Sequence, residues 1–449
     1  MNKKILVLAR GKIKKFNETI KIPGDKSLSL RALILASQCI GLSRIKNLLE
    51  SDDVLNCVRS LRKLGVKIEK TDSNYKVYGN GLNSLKVKKK INKIFVGNSG
   101  TTARLLSGIF STHPGKFYLY GDASMNRRDM SRISVHLEKF GSFFYFKNKS
   151  TLPLTIEGTE MPLAQTHIER LGSAQVKSAI LLAALNTPGT TKIIEERVSR
   201  DHTEIFLKKI NADIKIKKIK KGNLITLKGQ KNLYGFNYDI SSDPSSSAFL
   251  IALTLLNSHS KLIIKNINCN PTRTGFIKIL KKKMNANIKL KNLKKKSSGE
   301  LVGDIVVKSS ILKPINCPKK IVPSLIDELP ILFIIAAVTK GVSVFRGIGE
   351  LRNKESDRIK NIEEVLNKIG IKTKSTFSSL KIFGNPNIKV NKIINIYPCG
   401  DHRIAMSWAI FAILFGNVFK IHNFETVNTS FPSFTSLIKS LGGKLEIKK

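Results

Sequence analysis

Polar and apolar positions along this chain follow a pattern that returns six times. A short polar segment opens a strongly apolar stretch: PGDKSLSLRALILAS from Pro23, GNSGTTARLLSGIF from Gly97, LGSAQVKSAILLAAL from Leu171, SSDPSSSAFLIALTLL from Ser241, IDELPILFIIAAV from Ile326 and CGDHRIAMSWAIFAIL from Cys399. The polar-to-apolar junctions fall near 26, 100, 175, 245, 328 and 402, in steps of 74, 75, 70, 83 and 74. The stretches are apolar nearly all round, which predicts helices buried on every side. A second helix follows each and ends on glycine or asparagine: Gly65, Gly141, Asn211, Asn285, Gly370 and Gly442. These two residues most readily adopt the left-handed conformation just past a helix end. An alternating strand comes next each time.

Each repeat therefore reads strand, helix, strand, helix, then one or two strands, over roughly 75 residues. Six such repeats account for the 449 residues. A period longer than those of common solenoids favours a globular three-plus-three assembly, with parallel buried helices walled by β-sheets. The run Ser241-Ser-Asp-Pro-Ser-Ser-Ser247 opens the fourth repeat and marks the seam.

Composition narrows the picture. A hydrophobic fraction of 41% excludes wholesale disorder. Lys and Arg number 78 against 32 Asp and Glu, a formal charge of +46. The excess is mostly lysine, and 7% aromatics with one Trp argue against a stacking-based nucleic-acid partner. In Asp213–Lys221 the residues Ile214, Ile216 and Ile219 roughly alternate with lysine, as in a strand half in the core and half in water. The runs Lys86–Lys93 and Lys291–Lys296 read as loop edges. Such faces are solvated, and their field steers anionic substrates. Five Cys, at 39, 57, 269, 317 and 399 with no CxxC pair, exclude a disulfide scaffold or cysteine-based zinc site and suit a reducing cytoplasm. The apolar runs Ile331–Val338 and Trp408–Phe415 fall short of the ~18–20 residues a bilayer span needs. The N-terminal apolar run is too short for a signal peptide and reads as a first strand.

The chemistry concentrates at the helix starts. A first helical turn carries unpaired N–H groups and the positive end of the dipole, so it binds anions, especially where small residues allow close approach. Simple capping by Ser, Thr, Asp and Asn is the alternative. Six such starts, with Lys26, Arg31, Arg104, Lys177 and Arg403 beside them, favour a site for small anions. The second helices add Arg127-Arg128-Asp129, Arg200-Asp201-His202 and Lys354-Glu355-Ser356-Asp357-Arg358. Cations there oppose the dipole, so helix stability does not call for them. Arg128 and Arg358 read as phosphate or carboxylate clamps, against generic surface arginines. Asp327 and Glu355, among these cations, read as proton-transfer groups or hydroxyl acceptors, against salt bridging to lysine.

At these residues the chain resembles the enolpyruvyl transferases, and among them the 5-enolpyruvylshikimate-3-phosphate synthases. The segments that carry the resemblance are Pro23–Arg31, Gly97–Arg104, Gly121–Arg128, Ser173–Lys177 with Asn186–Gly189, Arg200–Thr203, Asp243–Ser246, Asn270–Gly275, Ile326–Glu328, Lys354–Arg358, Asp401–Met406 and Ser430–Pro432. SAQVKSA with RDHTE is similar to the class II branch. The resemblance implies a two-domain inside-out α/β barrel: residues 1–22 plus 243–449 in one domain, 23–242 in the other, and the active site in the cleft between them. It implies transfer of the enolpyruvyl group of phosphoenolpyruvate to the 5-hydroxyl of shikimate 3-phosphate, releasing phosphate, on the route to chorismate. Shikimate 3-phosphate would meet Lys26, Ser27, Arg31, Ser173, Ala174, Gln175, Arg200, Asp327 and Lys354. Phosphoenolpyruvate would meet Lys26, Asn98, Gly100, Arg128, Gln175, Arg358 and Arg403. Asp327 would be the base for the hydroxyl; Glu355, with Lys26 nearby, would be the acid that protonates the methylene carbon. No metal or organic cofactor, nucleic acid or membrane is implied, and the family is usually monomeric.

The chain departs from the family pattern at Asp129, where proline usually follows the arginine, and at Thr429, where many members outside class II carry lysine. Gly100 keeps the glycine that some class II-like members replace with alanine, which implies competitive inhibition by glyphosate. The alternative, transfer to a UDP-sugar, uses a Cys acid in a loop of the second repeat; Phe110–Asp122 contains none.

Overall fold

Helix α1 (Lys26–Ser37) begins where its sequence says it should: the Asp25 carboxylate accepts the Leu28 N–H at 2.8 Å, and every residue from Leu28 to Ser37 is buried. The computed structural model describes residues 6–9, 11–72, 74–88, 90–390, 392–416 and 418–448. The same succession recurs through them. Strand β1 (Leu6–Ala9) comes first, followed by β2 (Asn17–Lys21), α1, β3 (Ile40–Lys46), α2 (Asp52–Lys63), β4 (Lys67–Thr71) and β5 (Asn74–Asn80). The second repeat is β6 (Asn92–Phe95), α3 (Gly100–Ser111), β7 (Gly115–Tyr120), α4 (Ser131–Leu137), β8 (Phe143–Asn148) and β9 (Thr151–Gly158). The third is β10 (Thr166–Glu169), α5 (Ala174–Asn186), β11 (Thr190–Glu195), α6 (His202–Lys209), β12 (Asp213–Lys218) and β13 (Asn223–Lys228). The fourth is β14 (Asn237–Asp239), α7 (Pro244–Leu256), β15 (Lys261–Asn268), α8 (Gly275–Lys283), β16 (Asn287–Lys295) and β17 (Leu301–Lys308). The fifth is β18 (Asn316–Cys317), α9 (Leu329–Ala337), β19 (Gly341–Arg346), α10 (Arg358–Lys368), β20 (Thr373–Thr376) and β21 (Ser379–Gly384). The sixth is β22 (Ile394–Ile396), α11 (His402–Phe415), β23 (Phe419–Ile421), α12 (Phe434–Ser440) and β24 (Leu445–Lys448).

Each repeat builds one four-stranded sheet, and three repeats make a unit. One unit comprises Gly24–Ser241 with Lys295–Glu300; its sheets run β14-β3-β5-β4, β6-β7-β9-β8 and β10-β11-β13-β12. The other comprises Met1–Pro23, Ser242–Lys294 and Leu301–Lys449, with sheets β16-β17-β15-β2, β18-β19-β21-β20 and β22-β23-β1-β24. Two strands are exchanged in sequence terms. β2, which precedes α1, pairs in parallel with β15, and β14, which precedes α7, pairs in parallel with β3. In the sixth repeat, the N-terminal β1 fills the slot that a second strand of the closing pair fills elsewhere. Lys295–Glu300 lies with the Gly24–Ser241 unit rather than with its chain neighbours, because Glu300 Oε1 bonds His202 Nδ1 at 2.7 Å and Lys296 Nζ pairs with Asp239 at 2.7 Å.

The apolar helices are the cores. α1, α3 and α5 pack together in one unit, α7, α9 and α11 in the other, each against the inner strands of its own sheet. Glycines allow the closest approaches: a Cβ at Gly158 would lie 2.0 Å from the His113 carbonyl oxygen, and one at Gly384 would lie 1.9 Å from that of Thr339, both just past the end of a buried helix. All six residues expected to end the second helices have positive φ, from 60° at Asn211 to 104° at Gly141.

Two local expectations fail. Ile214 is buried, but Ile216 is 37% exposed, because β12 is an edge strand whose second half leaves the core. Lys291–Lys295 is not a loop edge; it is the exposed second half of β16. The five cysteines are free, four of them buried. The runs around Ile331 and Trp408 fall in α9 and α11, and among the described residues no helix is long and apolar enough to cross a membrane.

Candidate active site

In the Gly24–Ser241 unit, the starts of α1, α3 and α5 are tied together by side chains. Ser99 and Ser173 cap α3 and α5 as Asp25 caps α1. Gln175 bridges two helices: its Oε1 accepts from Arg104 NH1 at 2.6 Å and its Nε2 donates to Thr101 Oγ1 at 2.9 Å. Arg31 is buried and donates to Thr203 Oγ1 at 2.8 Å, Ser178 Oγ at 3.0 Å and Ser27 Oγ at 2.5 Å. Burial lowers its pKa to about 10, and the Arg200 charge, just before α6, pushes the same way. Lys26 Nζ rests on Asp53 at 3.0 Å.

The second cluster of this unit surrounds Gly100. Arg128 NH2 donates to Asn98 Oδ1, and Asn98 in turn donates to Asp122 at 2.7 Å. A Cβ on Gly100 would stand 2.9 Å from Arg104 NH1 and 3.1 Å from Arg128 NH1. Two buried guanidiniums therefore converge on the bare start of α3, a geometry suited to a phosphate or carboxylate.

Lys177 is different. Its ammonium is fully buried between Glu195 Oε1 at 2.7 Å and Glu204 Oε1 at 2.6 Å. Burial opposes its charge, but the Glu204 and Glu195 carboxylates outweigh that and raise its pKa. It belongs to an internal ion triad and not to an anion-binding surface.

In the other unit, Arg358 organises the charged groups. It is buried at the start of α10, with Nε on Asp401 Oδ2 at 2.7 Å, NH2 on Glu355 Oε2 at 2.5 Å and NH1 3.8 Å from Asp327 Oδ1. Asp401, Glu355 and Asp327 together raise its pKa against the penalty of burial. Asp327 also stands 4.0 Å from Arg273 NH1. Lys354 has its pKa lowered, first by burial and also by Arg358. Asp401 caps α11 by accepting the Arg403 N–H at 2.9 Å. The Arg403 guanidinium, 7% exposed as a residue, makes no hydrogen bond or ion pair among the described residues. Among the described residues, no group of three or more His, Cys, Asp or Glu is placed to hold a metal ion.

Comparison with known proteins decides the family. The sequence profile of EPSP synthase (3-phosphoshikimate 1-carboxyvinyltransferase) matches residues 11–438. The chain belongs to the EPSP synthase family. It is 39% identical over 432 residues to the 3-phosphoshikimate 1-carboxyvinyltransferase of Zymomonas mobilis, covering 95% of this chain and 94% of that one. It is 41% identical over 428 residues to that of Petrotoga mobilis, covering 95% and 97%. The EPSP synthase structure from Acinetobacter baumannii superposes with a TM-score of 0.83 at 35% identity, covering 99% of this chain and 100% of that one. The enolpyruvyl transferase NikO from Streptomyces tendae shares the fold, with a TM-score of 0.75 at 13% identity over 99% of both chains. These relatives and the six-sheet architecture establish the two-unit inside-out α/β fold.

The two departures from the EPSP synthase pattern have local explanations. Asp129 replaces the rigidity of proline with hydrogen bonds: its carboxylate accepts from Ser131 Oγ at 2.7 Å and Ser150 Oγ at 2.6 Å, and its carbonyl accepts from Arg104 NH2 at 3.1 Å. Burial would raise its pKa, but the bonds from Ser150 and Ser131 prevail and lower it. Thr429 packs its hydroxyl 3.3 Å from His402 Nδ1 and donates to the Thr426 carbonyl at 2.7 Å.

The structure also shows supporting residues to which the sequence reading assigned no role of their own. Glu169 accepts the N–H groups of Leu171, Gly172 and Ser173 at 2.9, 2.9 and 3.2 Å, which shapes the approach to α5. Asp401 joins Arg358 to the start of α11. Its signal was the Asp-His-Arg pattern of a helix cap. Arg273, buried, bonds Glu328 Oε1 at 3.1 Å and Asp243 Oδ1 at 3.2 Å beneath Asp327; nothing in the sequence spacing marks that trio.

Proposed function

We propose that this chain carries out the reaction of its family: the enolpyruvyl group of phosphoenolpyruvate passes to the 5-hydroxyl of shikimate 3-phosphate, and inorganic phosphate is released. The near-full-length match to relatives of that name carries this reading. The residue types fit it, since both substrates bear phosphate and carboxylate and each unit presents buried cations.

In this reading, shikimate 3-phosphate takes Lys26, Ser27, Arg31, Ser173, Ala174, Gln175, Arg200, Asp327 and Lys354. Phosphoenolpyruvate takes Lys26, Asn98, Gly100, Arg128, Gln175, Arg358 and Arg403. The unengaged guanidinium of Arg403 and the pair of guanidiniums at Gly100 support the second set.

Asp327 removes the proton of the 5-hydroxyl as that oxygen bonds to C2 of phosphoenolpyruvate. Glu355 delivers a proton to the C3 methylene, making it a methyl group. In the second half, Glu355 takes a methyl proton back, the C2–O bond to phosphate breaks, and phosphate leaves with the proton held by Asp327. Three carboxylates, those of Asp327, Glu355 and Asp401, share the Arg358 guanidinium.

Asp327→Ala tests the scheme. Shikimate 3-phosphate should still bind, while turnover falls by roughly 10²–10⁴, the range of a positioned acid or base. Normal turnover in the variant removes Asp327 from the role of base.

A further inference from the structure

A lysine with no exposed surface between two glutamates is an unusual thing to build into a helix core. Removing such charges from water is costly, and well-packed apolar residues often serve stability as well or better. The Lys177–Glu195–Glu204 triad therefore calls for a role beyond stability, and its partners indicate one. Glu195 Oε1, besides meeting Lys177, accepts from Ser199 N at 2.9 Å and from Ser199 Oγ at 2.6 Å. Glu195 Oε2 accepts from Asn223 Nδ2 at 3.2 Å. Glu204 sits in the first turn of α6. The triad thus grips both ends of the turn from Glu195 to Glu204, and Arg200 is the residue that follows the pinned Ser199. Lys177 lies two residues past Gln175 on α5, so the same ion ties this turn to the helix start that carries Ser173, Ala174 and Gln175. Ser178 repeats the link, with its hydroxyl 2.6 Å from Thr203 Oγ1, where Arg31 also donates.

We propose that Glu195, held by Lys177, whose ammonium Glu204 also grips, is a positioning residue that fixes the Ser199 turn so that Arg200 meets the anionic groups of shikimate 3-phosphate. The triad touches no substrate. It sets the backbone from which Arg200 projects, and it should govern affinity for shikimate 3-phosphate while leaving phosphoenolpyruvate largely unaffected. This inference rests on the assignment of Arg200 proposed above.

The test is a double-mutant cycle of Glu195→Gln and Arg200→Ala, read as KM for each substrate. Glu195→Gln is isosteric and leaves the Lys177–Glu204 pair intact, but it loosens the charge-assisted bonds to Ser199. It should raise KM for shikimate 3-phosphate by about 10-fold and change KM for phosphoenolpyruvate by less than about 2-fold. Arg200→Ala should raise the former by more, and adding Glu195→Gln to it should have little further effect, because the two act in series. If Arg200→Ala raises that KM and Glu195→Gln does not, the positioning role is overturned and the assignment of Arg200 stands. If the two effects multiply, Glu195 does not act through Arg200, which also overturns it. An Arg200→Ala enzyme with unchanged KM defeats the assignment of Arg200 and the inference with it. Should Glu195→Gln not fold, Ser199→Ala removes one bond of the same turn and must shift KM for shikimate 3-phosphate alone, in the same direction; no shift overturns the proposal.

Discussion

Adding one methyl group at Gly100 probes the densest part of the proposed phosphoenolpyruvate site. The new carbon would stand 2.9 Å from Arg104 NH1 and 3.1 Å from Arg128 NH1. Ordinary contacts begin near about 3.5 Å, so each guanidinium must retreat by roughly half an ångström. Neither is free to swing: Arg104 is tied to Gln175 and to the Asp129 carbonyl, and Arg128 to Asn98. A stretched charge-assisted bond costs about 1–2 kcal/mol, which corresponds to a rise of roughly 5–30-fold in KM for phosphoenolpyruvate. A competitor longer than the substrate loses more, because the methyl group also takes the space it would fill. Wild-type enzyme should accordingly be inhibited by glyphosate in competition with phosphoenolpyruvate, and Gly100→Ala should raise the inhibition constant by a larger factor than KM. Steady-state inhibition at fixed shikimate 3-phosphate measures both. A variant whose KM and inhibition constant are both unchanged refutes the placement of the ligand at the start of α3; equal rises in both refute the steric account of selectivity.

Arg403→Ala should weaken phosphoenolpyruvate by about 1.5–3 kcal/mol, the range for a hydrogen bond to a charged group, without unfolding the chain, since no partner among the described residues loses a side-chain bond; titration of the variant with that substrate checks it. A separate expectation concerns acid stability. His167 is fully buried and stacked on Phe140 at 5.0 Å, and among the described residues neither ring nitrogen has a hydrogen-bond partner. Burial, with smaller contributions from His136 and Lys139, lowers its pKa to about 3. The unfolded chain binds this proton below about pH 6.5 and the folded chain does not, so stability is lost as pH falls from there towards the folded value, by up to ~1.4 kcal/mol per pH unit. Thermal unfolding between pH 7 and pH 4.5 should show that slope, and His167→Leu should flatten it; an equal slope in the variant assigns the acid sensitivity elsewhere.

What the sequence made legible was local. A helix start is announced by its own cap, and Asp25, Ser99, Ser173, Asp243 and Asp401 all accept hydrogen bonds from the first turn they precede. A helix end is announced by the residue that can turn left-handed, so Asn211 and Asn285 could be matched to glycines elsewhere. Contacts between distant segments were not legible. Lys177 stood among the anion-binding cations because Glu195 and Glu204 are 18 and 27 residues further on, and only folding brings them to its ammonium. The exchange of β2 and β14 was invisible for the same reason, since each precedes its helix as in every other repeat and differs only in its partner. Ile216 misled because alternation marks a strand without saying where the strand passes the edge of its core.

The most direct test of the account identifies the product itself. Enzyme, phosphoenolpyruvate and shikimate 3-phosphate are incubated together, phosphate is measured, and NMR locates the new enol ether. The account expects one phosphate released per enolpyruvyl ether formed on the 5-oxygen, and no release when either substrate is omitted. Phosphate release from phosphoenolpyruvate alone, or transfer to a UDP-sugar in place of shikimate 3-phosphate, would contradict it.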